Sequence, residues 1–256
     1  GHFSRNLYWD FDDGQTALGD ALTAYNTIIN DTGYHTLQGG WFYYDALINK
    51  AEIVNWDLEP QDRVAAIDLL EAMVSGFPDY AERRHLARAY LRLGQFYHDR
   101  GRDRDDWQGY DWEADLETAT SYLDRVSQAG FPDLYASGDE EWIFREALQR
   151  RAEINSDLGN YAVARSYFNS ALTDDETDPE DKAWLQYELA RTYVDEFDEY
   201  DRRGMIQDAV DVYYLAISVF ENVEAYTYPD GTSGEPVDEG RPWAEALHEL
   251  IWMSRE

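Results

Sequence analysis

Apolar residues recur every three or four positions along most of the chain, which is the spacing of an amphipathic helix. In the segment 16–30, alanine, leucine, tyrosine and isoleucine keep this spacing until Asp31-Thr32-Gly33 ends it. No alternating run of strand length lies between hairpin turns. The pattern therefore predicts an all-α chain. The predicted helices span 16–30, 41–55, 60–74, 80–99, 114–128, 139–157, 161–172, 179–196, 205–223 and 243–253.

One predicted helix contains a glycine in the middle of its apolar face. In the stretch YLRLGQFY, Tyr90, Leu93, Gly94 and Tyr97 lie at helical spacing. Glycine inside a helix costs about 1 kcal/mol relative to alanine, and a helix accepts that cost most readily where another helix must come very close. We therefore expect a tight helix crossing at Gly94, with these residues in the core.

A small residue followed four positions later by a large one recurs in the second helix of each predicted pair. Alanine at the first position lets the paired helix approach, and the large residue fills the space between them. The spacing of the alanines is 45, 53, 45 and 45 residues, which predicts a structural repeat. The leading alanines are Ala21, Ala66, Ala119, Ala164 and Ala209.

These patterns resemble the tetratricopeptide repeat (TPR) family, which combines aromatic-x2-Leu-Gly-x2-Tyr on a first helix with Ala-x3-aromatic on a second. Gly159-Asn160-Tyr161 is also similar to the turn of that family, although the units here exceed its length of about 34 residues. The resemblance implies a right-handed α-solenoid of antiparallel helix pairs over residues 16–225. It implies a loop and capping helix over 226–256, while 1–15 is a lead-in segment or an expression-vector remnant.

The chain is strongly acidic, with 53 acidic against 21 basic residues and a net charge of −32. Nucleic acid and anionic membranes are poor partners for such a surface. No apolar run is long enough for a membrane-spanning helix, so direct membrane insertion is not expected. Two interpretations of the acidity stay open: a protein adapted to high salt, and an ordinary acidic bacterial protein.

Motifs of catalytic, nucleotide-binding or metal-binding sites are missing from the sequence. There is no cysteine, and His248-Glu249 lacks the second histidine of a zinc protease motif. The acidic residues are too numerous for a catalytic pair to be recognised. We therefore predict a non-enzymatic protein without cofactor or metal. The acidic segment 174–181 is interpreted as a solvated linker, with a calcium site as the less favoured alternative.

The resemblance implies that a partner binds along the first helices of the pairs, on the stripe beside their core residues. The segment 100–112, which makes one repeat eight residues longer, adds aromatic residues that either cover the mouth of this groove or pad helix 114–128. The predicted partner-binding residues are Phe42, Asp45, Asn49, Arg88, Leu91, Gln95, His98, Trp107, Tyr110, Trp112, Glu146, Gln149, Glu153, Trp184, Tyr187 and Arg191.

This mixture of aromatic, amide, acidic and arginine side chains suits an extended peptide, preferably a basic or amide-rich one. The first hypothesis is thus an interaction scaffold for a peptide or partner protein. The alternative is a solute- or glycan-binding protein of the cell envelope, because 15% of the residues are aromatic and aromatic faces stack on sugar rings. We expect a periplasmic or envelope location where a signal or lipid anchor has been removed, and a cytoplasmic one otherwise.

Melting temperature is expected to climb as salt is raised to molar KCl or NaCl. A net charge of −32 repels itself at low ionic strength, whereas at 1 M salt the screening length falls to about 3 Å. Thermal melts over this range measure the effect, and the two salts should act alike. A flat or falling curve would leave plain acidity as the interpretation.

Overall fold

The computed structural model describes residues 14–35, 40–57, 62–76, 83–102, 111–127, 141–173 and 179–227. Within these ranges all regular structure is helical and no strand occurs, which confirms the predicted all-α class. A π-helical turn, Ile53–Asp57, continues the second helix. The predicted capping helix lies outside the described residues. The helices are α1 (Gly14–Asn30), α2 (Gly40–Glu52), α3 (Arg63–Ser75), α4 (Arg83–Arg102), α5 (Trp112–Ser127), α6 (Glu141–Asp157), α7 (Tyr161–Leu172), α8 (Pro179–Arg202) and α9 (Ile206–Thr227).

The chain divides into two compact units, Gly1–Ala147 and Leu148–Glu256, with the division inside α6. The first unit contains α1 to α5 and the beginning of α6, and the second contains the remainder of α6 with α7, α8 and α9. None of the helices in the described ranges combines the length and the apolar character needed to span a bilayer.

Two helix ends differ from the prediction for local reasons. Helix α3 begins at Arg63, because the Asp62 side chain caps it by accepting a 3.0 Å hydrogen bond from the backbone N–H of Ala65. Helix α8 continues past its predicted end at residue 196 to Arg202. Its Phe197 ring packs against Tyr213 of α9, with centroids 6.0 Å apart, so the contact with α9 continues beyond 196.

Helices α2, α3 and α4 share the main core of the first unit, and α1 packs against α2 in an adjoining cluster. All five leading alanines are buried, as a small residue at a close helix contact requires. The buried residues of the main core are Leu47, Ile48, Ala51, Ala66, Ile67, Leu70, Met73, Ala89, Leu93 and Phe96.

The closest approach between α4 and α5 is at Gly94, as predicted. A Cβ atom there would lie 2.6 Å from Cγ of Leu123 and 3.3 Å from the carbonyl oxygen of Ala119. Only glycine fits this position without a shift of the neighbouring helix. The expectation for Tyr90 and Tyr97 is corrected, because both rings are half-buried and lie at the edge of the core. Their hydroxyl groups favour a position that reaches polar partners.

In the second unit, the α6–α7 and α8–α9 turns have the same geometry. Gly159 and Gly204 both adopt the left-handed conformation, with φ of 74° and 70°. The residue after each glycine donates a backbone hydrogen bond five residues back, at 2.7 Å from Asn160 and 2.9 Å from Met205. The two glycines lie 45 residues apart, so the sequence period corresponds to a repeated structure in this unit.

Replacing Gly94 by leucine is expected to lower the free energy of unfolding by about 1–3 kcal/mol, the usual cost of overpacking. The added side chain would push α4 away from Leu123 and Ala119. Gly19→Leu is the matched control, because no atom lies within 4 Å of a Cβ placed there. Urea denaturation measures both variants. If Gly94→Leu were as stable as Gly19→Leu, the crossing would not depend on glycine.

Candidate functional site

The predicted binding stripe of α4 lies inside the first unit. The side chains of Leu91, Gln95 and His98 are fully buried, and Arg88 keeps 13% of its side-chain exposure. Binding at this stripe would require the enclosed side chains to become accessible. Their assignment as partner-binding residues stays a prediction.

An ionic network that the sequence analysis missed lies at the same face of α4. Arg92 bonds Glu52 of α2 through Nε at 2.7 Å and Glu146 of α6 through Nη1 at 3.2 Å, and Gln95 also donates to Glu146. Burial would lower the pKa of Arg92, but the carboxylates of Glu52 and Glu146 outweigh it and raise that pKa. This network ties three helices together, which is a structural role. An arginine in a largely buried helix was its sequence signal.

The predicted stripe on α2 is partly closed in the same way. Asp45 pairs with Arg88 at 2.8 Å, and the buried amide of Asn49 donates to the Asp45 carbonyl oxygen at 2.7 Å. Phe42 is 50% exposed and forms an edge-to-face contact with Trp41 at a centroid distance of 4.9 Å. Of the predicted residues on α2, Phe42 is the one that reaches the surface.

The predicted residues on α6 and α8 in the second unit make mostly local contacts. Gln149 and Glu153 are half-buried and bond each other at 3.0 Å. Trp184 is half-buried and packs edge-to-face on the buried Tyr187, with centroids 5.7 Å apart. Arg191 keeps 43% of its side-chain exposure. The second unit therefore presents Arg191 more openly than the two aromatic residues.

The predicted aromatic cover of the groove is described only in part. Trp107 and Tyr110 lie outside the described residues. Trp112 is half-buried as the first residue of α5. Their proposed arrangement over the groove stays a prediction.

The second unit contains a cleft of about 640 Å³ that the sequence analysis did not identify. The cleft lies between the α6–α7 turn with the first residues of α7 on one side and the end of α8 on the other. The repeated glycine turn was its sequence signal. The lining consists of residues 157–163 together with Glu196, Glu199, Tyr200, Arg202 and Arg203.

Two polar side chains of this cleft have no hydrogen-bond partner in the described part of the chain. Asn160 stands before α7 but makes no capping hydrogen bond through its side chain. The hydroxyl of Tyr161 also makes none there. By contrast, Glu196 bonds Arg165 at 2.6 Å, and Glu199 bonds Arg202 at 2.6 Å. The cleft therefore combines paired charges with an amide and a hydroxyl that can bind a ligand.

Electrostatics of the cleft are dominated by its carboxylates. Burial raises the pKa of Tyr161, and Asp195 and Glu199 raise it further against the opposing effect of Arg202. Glu196 raises the pKa of Tyr200. Phenolate formation is disfavoured in both cases because the surroundings are negative. The cleft thus favours a cationic or neutral ligand over an anionic one.

A separate polar cluster in the first unit joins α3, α4 and α5. One oxygen of Glu71 accepts hydrogen bonds from the hydroxyls of Tyr97 at 2.7 Å and Tyr122 at 3.1 Å. The two rings stack with centroids 5.8 Å apart. Burial and the Glu71 carboxylate raise the pKa of Tyr122 to about 12, and they raise the pKa of Tyr97 as well. This cluster explains why two tyrosines stand at the edge of the core.

No protein-family model matches this chain, and no curated protein matches it. Within the described ranges, no group of three or more histidine, cysteine or acidic side chains is placed to hold a metal ion. The function therefore has to be inferred from the geometry of the two units.

Stability is expected to fall between about pH 10 and pH 12, partly because of Tyr122. The folded protein holds the Tyr122 proton more tightly than the unfolded chain, whose tyrosine pKa is about 10. This contribution is complete below pH 10 and is lost as the pH rises towards 12. Urea denaturation across this range should show a shallower fall for Tyr122→Phe than for the parent.

Tyr214→Phe is the control for this titration, because it removes a hydroxyl from a ring that is 66% exposed. It should follow the parent curve. An equally steep fall in Tyr122→Phe and in the parent would contradict the assigned role of the Glu71 cluster.

Proposed function

We propose that this protein is a non-enzymatic interaction scaffold that binds a peptide or a partner protein. Its helix pairs are proposed to form a right-handed α-solenoid of the TPR type. The buried alanines, the crossing at Gly94 and the repeated turns at Gly159 and Gly204 support this arrangement. The chain needs no cofactor for this role, and its net charge of −32 disfavours nucleic acid as a partner.

The cleft of the second unit is the observation that carries the proposal. Its volume of about 640 Å³ lies within the common range for ligand sites. Leu158 and Val163 supply exposed aliphatic surface, at 39% and 46%, beside the Asn160 amide and the Tyr161 hydroxyl. A peptide offers main-chain groups to the amide and hydroxyl, and side chains to the aliphatic surface.

The alternative function is a solute- or glycan-binding protein of the cell envelope. Its supporting observation is the pair of exposed rings of Trp41 and Phe42 at the start of α2. Aromatic surface of this kind provides contact area for a sugar ring. The cleft favours the peptide, because it joins aliphatic surface with main-chain hydrogen-bonding capacity.

Val163→Arg is expected to weaken peptide binding by at least about tenfold, because the larger charged side chain would occupy the cleft. A mixed library of short peptides and a panel of oligosaccharides, screened by thermal shift, would first identify ligands. Fluorescence anisotropy with the selected peptides would then compare the variants. Val210→Arg is the matched control, since Val210 is 40% exposed near the start of α9, outside the cleft lining.

Equal affinities for Val163→Arg and Val210→Arg would exclude the cleft as the binding site. Stabilisation by oligosaccharides alone, without any peptide ligand, would reverse the order of the two proposed functions.

A further inference from the structure

The side-chain amide of Asn160 and the hydroxyl of Tyr161 are placed to bind a ligand main chain. An asparagine amide has both a donor and an acceptor, which match the C=O and N–H of a peptide unit. Asn160 makes no capping bond, and Tyr161 follows it as the first residue of α7. An extended chain can present its main-chain groups to such pairs, as a strand does when it binds a protein edge.

The main chain of the neighbouring turns is also open to a ligand. No atom lies within 4 Å of a Cβ placed on Gly159 or Gly204. Both glycines have positive φ, so any other residue would be strained there and would cover the backbone. The two turns therefore leave accessible backbone on both sides of the cleft edge, since Gly204 directly follows the lining residue Arg203.

Charge in the cleft favours a basic ligand side chain. Arg202 and Arg203, with 69% and 62% of their side chains exposed, both bond Glu199, at 2.6 and 2.5 Å. Exposed ion pairs of this kind contribute little stability, so a ligand lysine or arginine can displace them from Glu199. The carboxylates of Asp195, Glu196 and Glu199 already raise the pKa of Tyr161 after burial, which shows a net negative surrounding.

Aliphatic side chains extend along the rim of the two turns. Leu158 and Val163 line the cleft, and Met205 and Ile206 follow Arg203 in the next turn, with Ile206 72% exposed. The apolar stems of lysine and arginine pack on such surface while their charged ends remain near carboxylates. Leucine or valine side chains of a partner fit the same rim.

From these four features we infer that the cleft binds an extended basic segment of a partner protein, with its main chain bonded to Asn160 and Tyr161 and its basic side chains directed at Glu196 and Glu199. This inference rests on the proposed function, and it adds the chemistry of the partner and the residues that read it. The segment carries aliphatic residues between its basic ones, which contact the rim at Leu158 and Val163.

Three labelled peptides test this inference by fluorescence anisotropy. The first alternates lysine and leucine, the second alternates glutamate and leucine, and the third repeats the first with its main-chain nitrogens methylated. The lysine peptide should bind the most tightly. The methylated peptide should bind about tenfold more weakly, because it has lost main-chain donors while keeping its charge and side chains.

The double variant Asn160→Ala/Tyr161→Phe should bind the lysine peptide about tenfold more weakly than the parent does. Asn169→Ala/Tyr214→Phe is its matched control, because it makes the same two changes at exposed positions outside the cleft lining and should keep the parent affinity. Thermal melts verify that both variants are folded.

All titrations are run at low salt and at about 1 M salt. Attraction of a cationic peptide to the net charge of −32 is screened at the higher salt. A discrimination between the lysine peptide and its methylated form that persists there supports the inference. Equal binding of these two peptides, or equal binding by the two double variants, overturns it.

The outcomes also separate this inference from the proposed function. If library peptides bind the protein while the lysine peptide does not, the inferred ligand chemistry is wrong and the scaffold function stands. If neither the library nor any designed peptide binds, both proposals are wrong.

Discussion

The close approach of α4 and α5 at Gly94 is the constraint on which the first unit depends. A single added carbon at Gly94 would lie 2.6 Å from Leu123, and the Ala119 backbone is only slightly farther away. Alanines at equivalent contacts allow the other helices to approach one another. Because glycine and alanine have little or no side chain, the large residues around them can fill the remaining space at native density.

The same close packing decides what happens to the flanks of α4. Once the helices approach this far, the stripe beside the core has no room to remain open, and Leu91, Gln95 and His98 become enclosed. The polar members of this region then need partners. Arg92 finds them in Glu52 and Glu146, so the charge is buried as part of an ionic network instead of facing solvent.

The second unit uses its turns differently. Positive φ at Gly159 and Gly204 reverses the chain directly after α6 and α8, and it leaves the turn backbone uncovered. The end of α8 extends beside the α6–α7 turn, and the cleft lies between them. Carboxylates of α8 dominate its electrostatics, in keeping with the strongly acidic composition. The proposed binding function thus depends on the geometry of helix ends.

The sequence by itself determined the helices, the buried alanines and the contact at Gly94. Apolar periodicity and residue size are local properties, and they specify which residues share one face of one helix. They do not specify whether a neighbouring face meets solvent or a second helix. Tertiary structure alone decided that Gln95 and His98 are enclosed and that Asn160 lies across a cleft from Glu199, because those relations join residues far apart in the chain.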